Sequence, residues 1–465
     1  MERGIAMKET DVLIVGGSAA GLVAAQIGRG RFPEKRFLVV RDTPEALIPC
    51  AIPYVFGDLG STERNILPDA LATKSGAEVM IDTVESIDRE KKECHTSSGE
   101  SISYEKLIIA TGSRPAVPGW LRGTHLGQVY TVPKNRDYIE QMLHALPSNG
   151  TVAVIGAGFI GVELADQLRD MPMEVHLIEL LPHILGMAFD EEIATVAEEL
   201  LTEKGITLHT GVGVEEILGE TNAEAVRLSN GEEISVDAVV LAMGYRPESG
   251  LAREAGLPIT DGGFIQVDEY MRTVDPSVLA VGDCAEKRDF ITRRPSGVML
   301  ASTACAEARV AAMNLYSLCS VKSFNGTVAV YSTAIGGTGF GTAGITAAAA
   351  EKEGFTVVTG SFTGVDRHPG TLANAHKQTV RLVVAKNCGT VIGGGVVGGD
   401  SAGELTNVLG LVVQNRMSVN DLLTSQIGTQ PCLTASPAAY PLIKAAEMAW
   451  KELSPVQEAA TAAVS

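Results

Sequence analysis

A strand, a glycine-rich turn, a helix, a second strand and an acid follow one another between residues 151 and 179, and this order most constrains the fold. Residues 151–155 (TVAVI) are typical of a buried strand, and residues 156–161 (GAGFIG) follow directly. Such a turn lets a helix begin with its backbone N–H groups facing a pyrophosphate. Glu179 ends the next strand, where the motif places a carboxylate that binds a ribose and repels a 2′-phosphate. The segment predicts a Rossmann-like unit that prefers NADH to NADPH.

A second, less regular copy of this pattern begins at residue 11. An apolar run leads into residues 16–21 (GGSAAG), in which a serine stands at the second glycine position. The following strand, residues 36–40, ends in Arg41 and Asp42. Asp42 can bind a ribose hydroxyl, although Arg41 occupies the more usual place of the acid. The chain therefore predicts two nucleotide-binding units.

Two similar segments, residues 107–115 (LIIATGSRP) and 239–247 (VVLAMGYRP), close the two units. Residues 278–283 then read as a strand that ends in Gly-Asp, where an acid can reach the ribityl chain of a flavin. Beyond residue 323 no third fingerprint follows, and strand-like runs alternate with helices. The prediction is an α/β protein with two Rossmann-like domains and a C-terminal α+β dimerisation domain. The expected boundaries are 1–116 and 246–322 (FAD-binding), 117–245 (NADH-binding) and 323–465 (interface).

The amino-acid composition limits the classes of partner and the cellular compartment that are expected for this protein. The net charge of −19 argues against nucleic acid or an anionic membrane surface as a general partner. No apolar run reaches the length of a membrane-spanning helix, and no metal-binding motif is evident. The seven cysteines are scattered and odd in number, which favours a reducing cytoplasm over a disulfide framework.

Cys50 is the candidate redox group. It lies in residues 47–54 (LIPCAIPY), a few residues beyond the second strand of the first unit. Open α/β sheets bind their ligands at the edge formed by the carboxyl ends of the strands, and Cys50 is expected to lie at that edge. Four other cysteines are predicted to be core thiols because they lie in strand or helix patterns: Cys284, Cys305, Cys319 and Cys388.

The order of these motifs resembles the pyridine nucleotide–disulfide oxidoreductases over nearly the whole chain. Within that family the chain is similar to a branch with a single redox cysteine. This branch contains coenzyme A disulfide reductases, NADH oxidases and peroxidases, and persulfide or polysulfide reductases. Residues 50–54 (CAIPY) match its Cys-Gly-x-Pro-Tyr motif except at Ala51, and no second cysteine follows until Cys94. The resemblance implies a homodimer that uses FAD and NADH.

The resemblance also implies roles for single residues. Glu163 would lie near the nicotinamide, and Cys50 with Tyr54 would lie against the other flavin face. The residues implied to bind FAD are Gly16, Ser18, Ala19, Gly21, Arg41, Asp42, Ala110, Thr111, Gly112 and Asp283. Those implied to bind NADH are Gly156, Gly158, Ile160, Gly161, Glu179 and Gly244.

Three positions depart from the family pattern. Ala19 stands where the peroxidases of the branch carry a histidine, and His368 stands where coenzyme A disulfide reductases carry a tyrosine. Cys432 lies in the region where the glutathione reductase branch has its catalytic His-Pro. Cys432 of one subunit is therefore expected either to approach Cys50 of the other, as a resolving thiol or persulfide carrier, or to be a buried structural thiol.

The expected reaction is an NADH-dependent reduction of a sulfur–sulfur bond in a coenzyme A disulfide, persulfide or polysulfide. Cys50 would attack that bond as a thiolate, with its pKa lowered by a nearby flavin or helix N-terminus. One alternative is an NADH oxidase or peroxidase in which Cys50 cycles through a sulfenic acid, and Ala19 argues against it. Another is an electron-transfer reductase of the ferredoxin or rubredoxin type, in which Cys50 is inert. The sequence leaves the electron acceptor open.

Overall fold

A computed structural model describes residues 7–318 and 323–453. Contacts divide the chain into two compact units. The first contains the described residues up to Leu180 together with Val212–Arg288 and Arg294–Thr327. The second contains Leu181–Gly211, Asp289–Arg293 and the described residues from Val328 onward. The four domain boundaries expected from sequence stay a prediction.

Most of the described strands are short. In chain order they are β1 (Met7–Glu9), β2 (Val12–Val15), β3 (Phe37–Arg41), β4 (Ala46–Leu47), β5 (Ile66–Leu67), β6 (Glu78–Ile81), β7 (Val84–Asp88), β8 (Glu93–Thr96), β9 (Ser101–Ser103), β10 (Lys106–Ile109), β11 (Ser113–Pro115), β12 (Val129–Thr131), β13 (Thr151–Ile155), β14 (Glu174–Ile178), β15 (Thr207–His209), β16 (Val214–Leu218), β17 (Ala225–Leu228), β18 (Glu233–Ser235), β19 (Ala238–Leu241), β20 (Tyr245–Pro247), β21 (Val278–Ala280), β22 (Lys287–Arg288), β23 (Pro295–Ser296), β24 (Tyr331–Ile335), β25 (Thr338–Gly344), β26 (Val357–Val365), β27 (Lys377–Ala385) and β28 (Thr390–Gly398).

The α-helices are α1 (Ala19–Arg31), α2 (Ala70–Thr73), α3 (Arg136–Ala145), α4 (Phe159–Leu168), α5 (Glu191–Glu203), α6 (Gly250–Glu254), α7 (Ala301–Met313), α8 (Ala347–Lys352), α9 (Ala402–Gln414), α10 (Val419–Leu423) and α11 (Pro441–Leu453). Short 3₁₀ helices lie at Pro49–Ala51, Pro53–Phe56, Thr62–Asn65, Gly282–Cys284 and Pro437–Ala439. Within the described residues, none of the helices is long and apolar enough to cross a membrane.

Two parallel sheets form the centre of the first unit. One has the strand order β21-β10-β2-β3-β6, and every neighbouring pair in it is parallel. The other contains β12, β19, β13 and β14 as parallel neighbours. The strands β2, β3, β13 and β19 are almost wholly buried, which explains their continuous apolar runs, since parallel strands are covered on both faces. The two predicted Rossmann-like units are confirmed.

The second unit has a different architecture. Its antiparallel sheet has the strand order β24-β25-β28-β27-β26. The helices α9 and α11 pack on it, and Leu382, Leu409 and Ala445 lie in the shared core. Gly360 of β26 permits the close approach of α11, because a Cβ atom there would lie 2.2 Å from the carbonyl oxygen of Ala445. The predicted α+β domain is confirmed.

Candidate functional site

Three turns converge at one edge of the first sheet. The strands β2, β10 and β21 are parallel, and each is followed by a glycine in the left-handed region: Gly16 at φ 111°, Gly112 at φ 72° and Gly282 at φ 80°. The carboxyl ends of parallel strands meet at the same edge, which is where open α/β sheets bind ligands. This edge is the candidate site for the first nucleotide.

The turn after β2 is shaped for an anion. A Cβ atom on Gly16 would lie 2.1 Å from the carbonyl oxygen of Ala110, and one on Gly21 would lie 1.9 Å from that of Gly16. The helix α1 starts at Ala19 with Ser18 as its N-cap, yet the Ser18 side chain makes no capping hydrogen bond and the first turn holds no acid. The helix N-terminus thus offers N–H groups and a positive partial charge to a phosphate.

Replacing Gly16 by alanine should abolish tight flavin binding. The new Cβ would overlap the Ala110 carbonyl, and φ 111° is strained for any residue with a side chain. We expect the flavin content per subunit, measured from the absorbance ratio of flavin to protein, to fall by about tenfold or more. Gly30→Ala, in the helix α1 that follows this turn, is the matched control, because a Cβ there meets nothing within 4 Å. Equal flavin content in both variants would contradict the assignment.

The other residues predicted to bind the first nucleotide differ in their hydrogen bonds and in their exposure to solvent. Ala110 donates its backbone N–H to Val15, and the Thr111 hydroxyl donates to the carbonyl oxygen of Glu248. Arg41 is buried, and its guanidinium donates two hydrogen bonds to Asp69, at 2.5 and 2.9 Å. Asp42 is exposed. Arg41 is thus held in a structural ion pair, and Asp42 is the residue with a solvent-accessible side chain.

The second fingerprint has the same construction. A Cβ on Gly156 would lie 2.6 Å from the Ala242 carbonyl oxygen, and one on Gly161 would lie 1.9 Å from that of Gly156. A Cβ on Gly158 or Gly244 would meet nothing within 4 Å, so open space lies beside both backbones. Ile160 lies in the first turn of α4. Glu179 follows β14, and its Oε2 accepts a hydrogen bond from the Ala157 N–H at 2.7 Å.

Cys50 lies in the 3₁₀ helix Pro49–Ala51, and Tyr54 lies in the next one, Pro53–Phe56. Each of these helices begins with a proline, whose fixed φ suits the first helical position. Cys50 retains solvent access, and Tyr54 is half-buried. The helix α4 is tied to this segment, because the Asp58 N–H donates to Oε1 of Gln167 at 2.8 Å. Glu163, one turn earlier in α4, is buried.

Four of the ionisable groups that act on the charge of Cys50 are Glu163, Lys134, Asp283 and Cys305. The protein atoms around the thiol and then the Glu163 carboxylate raise the pKa of Cys50, and Asp283 and Cys305 act in the same direction. Lys134 alone among the four lowers that pKa. The net effect of the protein's own groups is thus to raise the pKa of Cys50, and the expectation that a nearby flavin or helix N-terminus lowers it stays a prediction.

Lys134 is the site residue that sequence reasoning missed. Its Nζ donates to Oδ2 of Asp283 at 2.7 Å and to Oγ of Ser113 at 2.9 Å, and Ser113 donates to the same Asp283 oxygen at 2.7 Å. Burial opposes ionisation of Asp283, but Lys134 and Ser113 together hold the pKa of that carboxyl below its ordinary value. Lys134 lies between β12 and α3, where no local motif marks it.

Lys134→Met should slow the chemical modification of Cys50. Removing the only one of these four groups that lowers the pKa of Cys50 shrinks the thiolate fraction at pH 8, and each unit of pKa is about a tenfold loss. We expect iodoacetamide to alkylate the Cys50 peptide about three- to tenfold more slowly, followed by mass spectrometry. Lys134→Arg keeps the charge and should react like the wild type. Equal rates for the methionine variant and the wild type would remove Lys134 from this role.

Two predicted residues of the second unit lie on adjoining loops. The His368 backbone N–H donates to the Pro431 carbonyl at 3.1 Å, and His368 Nδ1 lies 2.8 Å from the Thr434 carbonyl oxygen. Because a carbonyl only accepts, Nδ1 carries the proton and Nε2 is left as the basic nitrogen. Cys432 lies between Pro431 and Thr434, is exposed, and donates its backbone N–H to Gln430 Oε1. Cys432 is therefore exposed in the single chain, and both expectations for its thiol stay predictions for the assembled protein.

The cysteines predicted to be core thiols differ in their burial. Cys284 is buried, whereas Cys305 is only partly buried. Cys388 is exposed, so its prediction as a core thiol is wrong, because it lies in the tight turn between β27 and β28. Cys319 lies outside the described residues. Among the described residues, no group of three or more His, Cys, Asp and Glu side chains is arranged for a metal ion.

Comparison with known proteins identifies the family. Residues 10–308 match the model of the pyridine nucleotide-disulphide oxidoreductases, and residues 330–439 match the dimerisation domain of the same family. An NADH oxidase from Methanocaldococcus jannaschii is 30% identical over 95% of this chain and 99% of the relative. An NAD(P)H coenzyme A polysulfide/persulfide reductase from Pyrococcus horikoshii is 30% identical over 84% of this chain and 87% of the relative.

A solved structure, of an NAD-dependent persulfide reductase from A. fulgidus, superposes with a TM-score of 0.86 at 30% identity. The match covers 95% of this chain and 83% of that chain. The family uses FAD and NAD(P)H, and the two glycine-rich turns described above suit two nucleotides. The chain therefore belongs to the pyridine nucleotide-disulphide oxidoreductases and is an NAD(P)H-dependent flavoprotein oxidoreductase.

Proposed function

We propose that this oxidoreductase uses NADH to reduce a sulfur–sulfur bond in a small-molecule disulfide, persulfide or polysulfide, including those of coenzyme A, through Cys50. The observation that carries the proposal is the placement of Cys50. Its thiol keeps solvent access while Glu163, Lys134 and Asp283 act on its charge. The relatives from Pyrococcus horikoshii and A. fulgidus are named for such activities, which supports the choice of acceptor.

The residues at the first sheet edge fit FAD. The crowded glycines Gly16 and Gly21 bring backbone N–H groups to a pyrophosphate, and the uncapped start of α1 favours its negative charge. Asp283 follows β21 at the same edge and offers a carboxylate to a ribityl hydroxyl. These residues would hold FAD, whose chemistry there would be to accept a hydride from NADH and to supply two electrons to the sulfur on Cys50.

The chain's own chemistry begins with the Cys50 thiolate. Cys50 Sγ forms a bond to one sulfur of the substrate, the substrate S–S bond breaks, and the other sulfur leaves as a thiolate that takes a proton from water. This step leaves a mixed disulfide on Cys50. Two electrons and two protons, one of the protons from the hydride of NADH, then return Cys50 to its thiol form and release the second product thiol. The sum is one NADH and one proton consumed per S–S bond.

Lys134 favours the thiolate form of Cys50. The protein atoms around the thiol and the Glu163 carboxylate raise the pKa of Cys50, whereas the Lys134 ammonium stabilises the charge of the attacking sulfur. Asp283 and Ser113 fix the Lys134 Nζ through hydrogen bonds of 2.7 and 2.9 Å. Cys50 is therefore expected to react faster as a thiolate while the Lys134 charge is in place.

The proposal includes a homodimer in which the second unit of one subunit serves the partner. The match to the family's dimerisation domain over residues 330–439 supports this assembly. Cys432 would then accept sulfur from the Cys50 of the other subunit, and the free Nε2 of His368 would take the Cys432 proton. The hydrogen bonds of His368 to the loop of Cys432 support a joint role for the two side chains.

A second candidate function is the reduction of oxygen or peroxide through a Cys50 sulfenic acid. The relative from Methanocaldococcus jannaschii is named an NADH oxidase and matches nearly the whole chain. Ala19, at the first residue of α1, offers no proton donor at the position where the peroxidases carry a histidine. This difference favours the sulfur acceptor.

The two functions are separated by an acceptor panel. The enzyme is mixed with NADH without oxygen, and its steady-state rate is measured with coenzyme A disulfide, glutathione persulfide, polysulfide and hydrogen peroxide, and with oxygen in a separate run. We expect kcat/KM for at least one sulfur acceptor to exceed that for peroxide and oxygen by about 10²-fold or more. A preference for oxygen or peroxide would replace the sulfur proposal by the second candidate.

A further inference from the structure

Lys287 and Glu307 form a buried ion pair beside the turn that carries Asp283. Lys287 lies in β22 and Glu307 in α7, and their side chains are 1% and 0% exposed. Lys287 Nζ lies 3.8 Å from Glu307 Oε1, which is too long for a hydrogen bond. Taking two charges out of water costs free energy that their mutual attraction often fails to offset. The reason for keeping both charges here must therefore lie in their other contacts.

Both charged side chains hold the backbone of the same residue, Gly282. Glu307 Oε2 accepts the Gly282 N–H at 2.7 Å, and Lys287 Nζ donates to the Gly282 carbonyl oxygen at 3.1 Å. Lys287 Nζ also donates to the Ala285 carbonyl oxygen at 2.7 Å. Hydrogen bonds to ionised groups are about twice as strong as those between neutral groups. Both polar groups of the Gly282 backbone are thus fixed by charged side chains.

Gly282 is a residue whose conformation needs such support. Its φ of 80° lies in the left-handed region, and a glycine adopts many other conformations as readily. It lies against two helices, because a Cβ there would be 3.2 Å from the Cβ of Ala20 in α1 and 3.6 Å from that of Ala304 in α7. Asp283 follows directly. The position of Gly282 therefore determines where the Asp283 carboxylate lies relative to the start of α1.

The two charges also depend on each other. Within the described residues, the buried Oε1 of Glu307 has no hydrogen-bond partner, so the Lys287 ammonium is the group that compensates its charge. Burial raises the pKa of Glu307 to about 7, although the Lys287 charge and the hydrogen bond from Gly282 act against this rise. Loss of Lys287 would therefore favour the neutral acid, and the Gly282 N–H would lose its charged acceptor.

We propose that Lys287 and Glu307 are a positioning pair for the flavin: by holding both backbone groups of Gly282, they fix the Asp283 turn in the arrangement that binds it. This role goes beyond the proposed function, since it is independent of the electron acceptor and of Cys50. It rests on the placement of FAD at this sheet edge.

Flavin release from the holoenzyme tests this role. The variants are Lys287→Met, Glu307→Gln and the double variant with both changes. Release after dilution is followed by the fluorescence of free flavin, and unfolding is followed by circular dichroism in excess FAD. Each single change leaves one buried charged or polar group without its partner, so both single variants should release flavin faster and unfold at a lower temperature.

The double variant separates positioning from stability. Because it removes both charges at once, it should unfold within about 3 °C of the wild type. It should still release flavin at least about tenfold faster, because the Asp283 turn then spends less time in the binding arrangement. A folded double variant that is purified without flavin would support the role as well.

Arg89→Met is the matched control. The Arg89 guanidinium donates to the carbonyl oxygens of Ala255 and Gly256, at 2.7 and 3.4 Å, and lies 3.7 Å from the Asp275 carboxylate. These contacts are of the same kinds, but Asp275 precedes β21, whereas Gly282 follows it. Arg89→Met should therefore release flavin at the wild-type rate.

Release by the double variant at the wild-type rate would overturn the positioning role, and so would an equal acceleration by Arg89→Met. A double variant that does not fold would overturn it too, because the two charges would then serve the fold. Failure of the proposed flavin site gives a different result, since Gly16→Ala would then keep its full flavin content.

Discussion

Cys50→Ser is expected to lose turnover with every sulfur–sulfur acceptor while NADH still reduces its flavin. A serine hydroxyl is far less acidic and less nucleophilic toward sulfur than a thiol, so the attack on the S–S bond should slow by at least about 10³-fold. The hydride half-reaction does not need the thiol. Steady-state assays without oxygen measure turnover with the sulfur–sulfur acceptors. Stopped-flow bleaching of the flavin by NADH measures the hydride half-reaction.

The matched control is Cys388→Ser, which removes another exposed thiol, in the turn between β27 and β28. It should keep both half-reactions. If Cys50→Ser retains most of its activity with disulfides or persulfides, the thiol relay is wrong. The electron-transfer alternative, in which Cys50 is inert, would then explain the data better.

Glu179→Arg is expected to change the preferred nucleotide. The Glu179 carboxylate lies at the end of β14, and its Oε2 accepts the Ala157 N–H at 2.7 Å, within the second glycine-rich turn. A carboxylate in this position repels a 2′-phosphate, and a guanidinium attracts it. The ratio of kcat/KM for NADH to that for NADPH should fall by on the order of 10²-fold.

Glu174→Arg makes the same substitution at the other end of β14, where the carboxylate is 65% exposed. This control should leave the ratio near its wild-type value. A wild-type enzyme that strongly prefers NADPH, or a Glu179→Arg ratio equal to that of the control, would remove Glu179 from nucleotide selection.

The fold was predictable from sequence because its strongest constraints are local. The apolar runs before Gly16 and Gly156 are buried parallel strands, and both glycines have a positive φ that a side chain would strain. The spacing from Gly156 to Glu179 reports a strand–helix–strand unit directly. The antiparallel sheet of the second unit carried no such motif, and only the alternation of strand-like and helical runs indicated it.

The candidate site was only partly predictable because its charges come from distant parts of the chain. Lys134 meets Asp283 across 149 residues of sequence, and Gln167 meets Asp58 across 109. Neither pair has a local pattern. The ion pair of Arg41 was also not predictable from a local pattern. Arg41 stands where the motif usually has an acid, and its guanidinium is paired with Asp69. Burial of single cysteines was also unpredictable, as Cys305 and Cys388 show.

Reduction of a sulfur–sulfur bond through Cys50 is tested most directly by the stoichiometry of a reaction without oxygen and with limiting NADH. Coenzyme A disulfide and glutathione persulfide serve as separate acceptors, and thiol or sulfide products are measured against NADH consumed. For at least one of these acceptors we expect one S–S bond cleaved per NADH in the wild type and no cleavage by Cys50→Ser. NADH oxidation that proceeds only when oxygen or peroxide is added, with no S–S bond cleaved, would contradict it.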